Sequence, residues 1–473
     1  MKILIVEDDI EYAEGIEKEL QLLKPDLELS FAKSRDSAVS SVQSNFYDLV
    51  ILDLKIPTID GALDEEPEHG NAVFESILQH APGTPIFVLT GSPGEPFIDR
   101  LTANVNQVDI WGASKLPTVS FLAKHRFGVF SEKIAPYLRD FATLSDVELQ
   151  RSADPLSIEE DRILRIFSNQ CKAAKCTVDL LTGGLSGARV FRAKFTSEQG
   201  ALIHHAVTKI GPRPDVFDEN DRFEKFVSRL EGKATPRKLA LVSHGAGKVA
   251  GVLYSLAAGF DSNAFAIAEI DGPTSQSIIG ELEKLTSAWR NGLPETRHQI
   301  RTIRQHAISD DRFSAIRPEI SFDWIEEFER KHIQTIFACS HGDMHGLNVL
   351  ATPEGNPILI DYGDVGDATA CLDPITLELS LFFHVKGPLR DSAWPTAHQA
   401  GEWGNLDTYL VDCPMPTFIR ACREWAIRSA AGNREIAATA YSYLVRQLKY
   451  DETDRTRIFS LLGGVKAFFD RQS

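Results

Sequence analysis

Cysteine is scarce, with six in 473 residues, at positions 171, 176, 339, 371, 413 and 422. That is too few for a disulfide framework, and the pair Cys171 and Cys176 has no second pair at zinc-ribbon spacing, so all six read as reduced packing residues. Long apolar runs are missing as well. The opening residues reach Glu7-Asp8-Asp9 after only a short apolar run, too brief for a secretory signal, and the longest apolar stretch, around residues 249–260, falls short of a membrane span. The chain is therefore expected in the cytoplasm and away from membranes. Positive charge is the third deficit: 50 Lys and Arg stand against 67 Asp and Glu, a net charge of −17. That sign opposes binding to phosphate backbones, and nucleic acid is set aside as a partner. Low-complexity tracts and internal repeats are absent too.

What is present suffices for several compact units, because 43% of the residues are hydrophobic and the charged fraction of 25% is ordinary for a globular protein. The first part alternates β-rich runs with amphipathic helices. A strand over residues 3–6 is followed by a helix with Ile10, Ala13, Ile16 and Leu20 on one face, then strands at 27–31 and 49–52 with a helix between them. A helix over 72–80, a strand at 85–89, a helix around 96–103 and a strand at 108–111 complete a doubly wound sheet of five strands. Residues 131–141 are either the last helix of this domain or part of a polar joint that continues through 143–161. From residue 166 the order changes to a Gly-rich hairpin, strands, a charged helix, a second hairpin and a long helical stretch, an α+β pattern. Helical spacing recurs in the tail through Ile419, Cys422 and Trp425, then Ala438, Tyr441, Leu444 and Leu448. The expected division is 1–138, a linker or connecting helix 139–165, a small lobe 166–262 and a helical lobe 263–473.

Carboxylates mark the strand ends of the first domain. Glu7 and Asp8 close the first strand and Asp53 closes the third, so they converge at the carboxyl edge, where such sheets bind ligands. Three acids in one crevice repel each other, and a hard dication such as Mg2+ relieves that repulsion. Asp9 replaces Asp8 in the pair if the strand ends one residue later. Thr90 ends the fourth strand and Lys115 follows the fifth, supplying a hydroxyl and a cation for phosphate oxygens. On this ordered set, residues 1 to about 138 resemble a response-regulator receiver domain. The resemblance implies Glu7 and Asp8 as the metal pair, Asp53 as phospho-acceptor, Thr90 as switch hydroxyl, Lys115 as the phosphate-contacting lysine, and a histidine kinase or phosphotransfer protein as phosphodonor. The segment 62–69 reads as an insertion beside the acceptor loop, Leu116 separates Lys115 from Pro117, and Trp111 stands one residue away from the usual aromatic switch.

The densest chemistry lies at His341-Gly342-Asp343-Met344-His345-Gly346-Leu347-Asn348, followed by an apolar run at 357–360 and then Asp361. Phosphoryl transfer needs one carboxylate to orient a hydroxyl, with an amide oxygen and a second carboxylate on Mg2+, and Asp343, Asn348 and Asp361 supply those groups. A turn at 353–356 between two short strands returns Asp361 to Asn348. Reading His341, Asp343 and His345 as hydrolase metal ligands is the competing assignment, weakened by the lack of a further histidine cluster and by the spacing of Asn348 and Asp361. Upstream, Gly183, Gly184, Ser186 and Gly187 form a turn whose N–H groups could approach phosphates, Lys209 lies on the following strand, and Glu219 on the charged helix could pair with it, in competition with Glu224 and Glu231. Residues from about 166 to 473 thus resemble the aminoglycoside-phosphotransferase-like branch of the protein-kinase fold. More narrowly, they resemble a bacterial group of uncharacterised phosphotransferases called ternary complex associated domains. That implies Asp343 as catalytic base, Asn348 and Asp361 on metal, Lys209 and Ser186 on ATP phosphates, and Asp373 bracing the loop. No acidic cluster suited to a polycationic antibiotic precedes the loop.

The combined expectation is an α/β receiver fused to an α+β two-lobed kinase-like domain. Its function would be an ATP- and Mg2+-dependent phosphotransferase under receiver control, acting on an unknown hydroxyl. The other reading is a nucleotide-binding scaffold that docks protein partners in a bacterial signalling or defence complex.

Overall fold

The structure is a computed structural model and describes residues 1–91, 106–151, 155–183, 187–230, 235–257, 259–270 and 272–472, with backbone alone at 182 and 183. The chain divides into two compact units, one of residues 1–217 with 238–256 and the other of 218–237 with 257–473.

The first unit begins with β1 (Lys2–Val6), α1 (Ile10–Leu23), β2 (Glu28–Ala32), α2 (Arg35–Ser44), β3 (Leu49–Leu52), α3 (Pro67–His80) and β4 (Ile86–Thr90). A short antiparallel hairpin follows, β5 (Gln107–Asp109) with β6 (Lys115–Pro117), then β7 (Val119–Ala123) and α4 (Phe130–Ala142). The five parallel strands run in the order β2-β1-β3-β4-β7. Period-two alternation sorts β1 between two cores, Ile3 and Ile5 to one face of the sheet and Leu4 and Val6 to the other. The fifth strand is β7, which pairs in parallel with β4, and not the run at 108–111, where Val108 and Asp109 belong to the small hairpin and Ile110 and Trp111 are buried outside the sheet. The helix expected around 96–103 lies outside the described residues. Residues 131–141 are the domain's last helix, α4, which buries Phe130, Ile134 and Tyr137 against Phe87 and Trp111.

The segment expected as a linker or connecting helix holds a strand and the start of a helix. Residues 148–151 form β8, which pairs in parallel with β9 (Lys175–Gly183), and α5 (Ile158–Gln170) starts on a Ser157–Glu160 capping box. With β10 (Arg189–Thr196), β11 (Leu202–Pro212), β12 (Lys238–Val242) and β13 (Val249–Ser255) they build a six-stranded sheet in the order β12-β13-β11-β10-β9-β8. One hydrophobic core joins this sheet to the parallel one: Ile3, Trp111 and Phe141 belong to the same cluster as Ile163 and Phe167 of α5 and Phe191, Phe195 and Leu253 of the sheet. This shared burial is why the compact unit runs across the boundaries expected at 138 and 166.

Polar clasps reinforce the seam. Arg162 of α5 reaches Asp48, buried before β3, at 2.8 Å. Asn169 donates to the Trp111 carbonyl at 3.0 Å. Two backbone bonds of 2.8 Å tie the 81–85 loop to the β12–β13 turn, Gly83 N–H to Gly247 O and Gly245 N–H to Gly83 O. Glycine is required there, since a Cβ on Gly83 would lie 2.7 Å from the Gly247 oxygen and one on Gly245 2.4 Å from the Ile110 oxygen.

The helix α6 (Arg213–Phe226) passes from the first unit into the second. The second unit contains β14 (Phe337–Ser340), β15 (Val349–Ala351), β16 (Pro357–Leu359) and β17 (Gly366–Thr369), followed by α7 (Leu372–Phe383), α8 (Pro416–Ser429), α9 (Asn433–Gln447) and α10 (Arg455–Arg471). β14 pairs with β17, and β15 with β16, both antiparallel. An α7 buried on every side, with a Glu378–Arg423 ion pair of 2.6 Å among its contacts, forms the centre of the helical body. Among the described residues no helix is long and apolar enough to cross a membrane.

Candidate functional sites

The parallel order places β1 and β3 side by side at the switch point of the sheet, so their carboxyl ends share one crevice. Backbone bonds carry the ladder one residue past each strand, Glu7 N–H to Ala32 O at 3.0 Å and Asp53 N–H to Val6 O at 2.9 Å, which fixes where both side chains emerge. Ligand oxygens of Glu7, Asp8 and Asp53 lie within 4.8 Å of one another. Glu7 and Asp53 are buried, 3% and 4% exposed, while Asp8 is half-buried. Burial, then the neighbouring Asp53, pushes the Glu7 carboxyl up to about 7, and burial likewise raises Asp8. A set of buried, mutually repelling oxygens fits a hard dication. Asp9 is committed elsewhere, capping α1 by accepting from Glu11 and Tyr12 N–H, which leaves Asp8 as the third acid.

The cation in this crevice is Lys124, not Lys115. Its Nζ lies 2.7 Å from Glu7 and 2.8 Å from Asp53, above the Tyr12 ring at 4.4 Å. Burial opposes its charge, but Asp53 and Glu7 outweigh that and hold its pKa above the ordinary lysine value. Lys115 is exposed on β6, in register with Asp109. The assignment of Lys115 fails because the fifth strand is β7, and the lysine that follows it is Lys124. The apolar run at 119–123 ending in a lysine carried the same signal that located Asp53. Thr90 ends β4 fully buried, with its Oγ1 lacking a hydrogen-bond partner among the described residues. Trp111 is no surface switch, for it packs edge-on against Tyr137 and Phe141. The 62–69 segment is fastened to the acceptor loop through a Thr58–Asp64 hydrogen bond and His69 on the Ile56 carbonyl at 2.9 Å.

In the second unit the loop between β14 and β15 carries Asp343. Its backbone is held from below, since Asp373 at the start of α7 accepts from His341 N–H at 2.9 Å and Gly342 N–H at 3.1 Å. His341 is buried and its Nε2 lies 3.1 Å from the Ile360 carbonyl, so it braces the returning strand. Gly342 adopts φ of 83°, and a Cβ there would meet the Asp364 carbonyl at 2.3 Å. Asn348 is buried, and its amide donates to the Asp343 carbonyl at 2.9 Å, while its own carbonyl accepts from Ile360 N–H at 3.0 Å. The β15–β16 hairpin thereby returns Asp361 to the neighbourhood of Asn348. Asp361 sits in the left-handed region, φ 64°, a strained placement for a non-glycine residue of the kind found at functional sites.

The Asp343 carboxylate is one-third exposed and lies 3.7 Å from His345 Nε2 and 3.6 Å from Nη2 of the Arg446 guanidinium. Burial lowers the His345 pKa, against the pull of the Asp343 charge. Arg446, on α9, gave no sign in the sequence, lying far downstream in a stretch read only for helical spacing.

The remaining candidates include residues of β9, β11 and α6. Lys209 is buried on β11, opposite Val190 and Val252. Glu219 is fully buried on α6 whereas Glu224 is exposed, which favours Glu219 of the candidates, Glu231 lying outside the described residues. Gly183 closes β9 and Gly187 has φ of 76°, while Gly184 and Ser186 lie outside the described residues.

Comparisons with known proteins give one match to a family model and several similar solved structures. Residues 3–108 match the family model of the response regulator receiver domain. No curated protein matches the chain. Among solved structures, aminoglycoside phosphotransferase APH(4)-Ia in a thermostable mutant form shares 12% identity over 63% of this chain and 94% of its own, with a TM-score of 0.38. An aminoglycoside-3'-phosphotransferase of type VIII shares 19% identity over 57% of this chain and 100% of its own, with a TM-score of 0.33. The receiver domain of a sensor histidine kinase from Pseudomonas aeruginosa, a structure with magnesium ion coordinated in its active site cleft, shares 20% identity over 28% of this chain and 97% of its own, with a TM-score of 0.20. The receiver model thus covers residues 3–108, and the aminoglycoside phosphotransferases are what the larger part of the chain is similar to.

Proposed function

We propose that this chain is a signalling phosphotransferase in which phosphorylation of Asp53 controls transfer of the γ-phosphoryl group of ATP to a hydroxyl acceptor. The observation that carries the reading is the braced loop of the second unit. Asp373 fixes its backbone, Asn348 is tied to it, and Asp361 returns beside Asn348. Asp343 orients the acceptor hydroxyl and takes its proton, while Asn348 and Asp361 would hold Mg2+. Lys209 is assigned to the phosphates of ATP.

In the receiver, an Asp53 oxygen attacks the phosphorus of a phosphohistidine donor. The new O–P bond forms as the donor N–P bond breaks, and the donor is a histidine kinase or phosphotransfer protein. Glu7, Asp8 and Asp53 would hold Mg2+, which when bound offsets the negative charge of the phosphoryl group. Lys124 is placed to neutralise the phosphoryl oxygens and the Thr90 hydroxyl to donate to one of them. Control is supported by the common core. The receiver and the sheet that carries Lys209 are buried against each other, so a charge change at Asp53 falls within the unit that holds the nucleotide-side lysine.

The test is incubation of the full chain with γ-labelled ATP and Mg2+, locating label on the protein, on lysate proteins or on metabolites, with and without acetyl phosphate to load Asp53. Transfer that responds to acetyl phosphate and is lost in Asp343→Ala supports the reading. A chain that binds ATP and partners equally well in Asp343→Ala, with no transfer in either form, is a scaffold.

A further inference from the structure

Beside the catalytic loop the second unit holds a cavity of about 380 Å³, with Gly342 in its wall. That volume lies at the lower end for small-molecule sites and suits a compact metabolite. Two cations line it from the end of α9, Arg446 in the last turn and Lys449 just beyond. Arg446 is the residue 3.6 Å from the Asp343 carboxylate, so the cavity and the candidate base are one side chain apart. Lys449 is half-buried, with its Nζ 4.6 Å from the Tyr450 ring centre and no carboxylate partner among the described residues. A third cation, Arg222, is already engaged by Asp218 at 2.7 Å and the Val365 carbonyl at 2.8 Å. The carboxylates in the lining, Asp364 and Asp367, are exposed to solvent. Cations at a helix C-terminus also complement the helix dipole. That accounts for their position along the chain, but not for both of them lining one cavity, nor for a half-buried lysine with no carboxylate partner among the described residues in a chain of net charge −17.

We infer that the acceptor is a small hydroxy compound bearing a carboxylate or phosphate group, which Arg446 and Lys449 hold while the hydroxyl faces Asp343. The inference rests on the phosphotransferase reading above. In the transfer, the acceptor oxygen forms a bond to the γ-phosphorus as the bond from that phosphorus to the bridging oxygen breaks. ADP departs, and the hydroxyl proton passes to Asp343 and then to solvent. The anionic group of the acceptor competes with Asp343 for Arg446, drawing the guanidinium away from the base as substrate seats.

The experiment uses the full chain and measures binding by calorimetry with glycerol 3-phosphate, glycerate, glycerol and spermidine as probes. One or both anionic probes should bind at least tenfold more tightly than glycerol, and spermidine should bind no better than glycerol. Tighter binding of glycerol 3-phosphate assigns the phosphate, and tighter binding of glycerate the carboxylate. Lys449→Gln and Arg446→Gln should each weaken the anion at least tenfold, with Lys449→Arg restoring it to within threefold. Equal binding of glycerol, preference for spermidine, no binding of either anion, or anion binding indifferent to Lys449→Gln would each overturn the inference. ADP release from wild-type protein is followed separately. Its absence counts against the phosphotransferase reading, whereas ADP release without anion preference removes only the acceptor class.

Discussion

The two candidate sites gather their carboxylates by opposite means. In the receiver, acids from β1 and β3 meet because parallel strands adjacent at a switch point end side by side, and the crevice concentrates buried negative charge that Lys124 only partly answers. In the second unit, Asp343, Asn348 and Asp361 come from one stretch of chain folded on itself by the β15–β16 hairpin, and the scaffold is a web of backbone hydrogen bonds. The first site stores electrostatic repulsion and is poised to respond to a cation or a phosphoryl group. The second stores orientation, with a partly exposed carboxylate already aimed. The difference suits a switch in one case and a catalyst in the other.

The largest effect that can break this contrast is on turnover. Asp343→Ala should lower phosphoryl transfer by roughly 10²–10⁴-fold, the range for loss of a positioned general base, while leaving acyl-phosphate formation from acetyl phosphate intact. Asp53→Asn should do the reverse, abolishing the hydroxylamine-labile label and leaving basal ATP use. If both variants lost both activities, the sites would not be independent chemistries. Next in size is the seam between the receiver and the six-stranded sheet. Arg162→Met leaves the fully buried Asp48 side chain without its cation, holding only the Lys2 N–H, and should cost about 3 kcal/mol of stability in urea unfolding, the lower end for removal of one partner of a buried pair. Because the two sheets share a core, the loss should appear in one cooperative transition of both. A receiver that unfolded separately and unaffected would contradict the common core.

Much of this was legible in the sequence where function and local pattern coincide. Glu7, Asp53 and Thr90 could be placed because each ends a short apolar run, and Asp343, Asn348 and Asp361 because their spacing is that of a loop and a hairpin. Lys115 misled because Val108 and Trp111 supplied apolar character to a segment that forms only a small hairpin, while the parallel pairing of β7 with β4 closes the sheet. The polar composition of residues 143–161 suggested a joint, yet edge pairing of β8 and the buried stripe of α5 make it part of the fold. Arg446 was invisible for another reason, as nothing local in a helix announces which distant loop its side chain reaches.

A sharper test of the receiver site sets the two lysines against each other. Lys124→Met removes the cation that answers Glu7 and Asp53, and the acyl-phosphate half-life after loading with acetyl phosphate should change at least tenfold. Lys115→Ala, an exposed change away from the acidic crevice, should leave the half-life unaltered and move stability by less than about 0.5 kcal/mol. Equal effects from both lysines would return the assignment to Lys115 and undo the placement of β7.

The smallest expected effect concerns pH and the seam. His244 sits in the β12–β13 turn that grips Gly83, its Nδ1 2.9 Å from Ser243 Oγ, and burial followed by the nearby Arg213 charge lowers its pKa to about 4. An unfolded histidine titrates near 6.5 and so binds its proton first as the solution is acidified. Its contribution is therefore complete above about pH 6.5, is lost as pH falls toward 4, and declines no further below that. Screening of this partly exposed group leaves about 2 kcal/mol of pH-dependent stability, read as the difference between urea midpoints of wild type and His244→Gln across pH 7 to 4. Curves for the two proteins that converge on acidification place the neutral imidazole at the seam. Curves that stay parallel throughout would mean that the ring is already charged or already solvated there, and that the turn gripping Gly83 opens before the parallel sheet does.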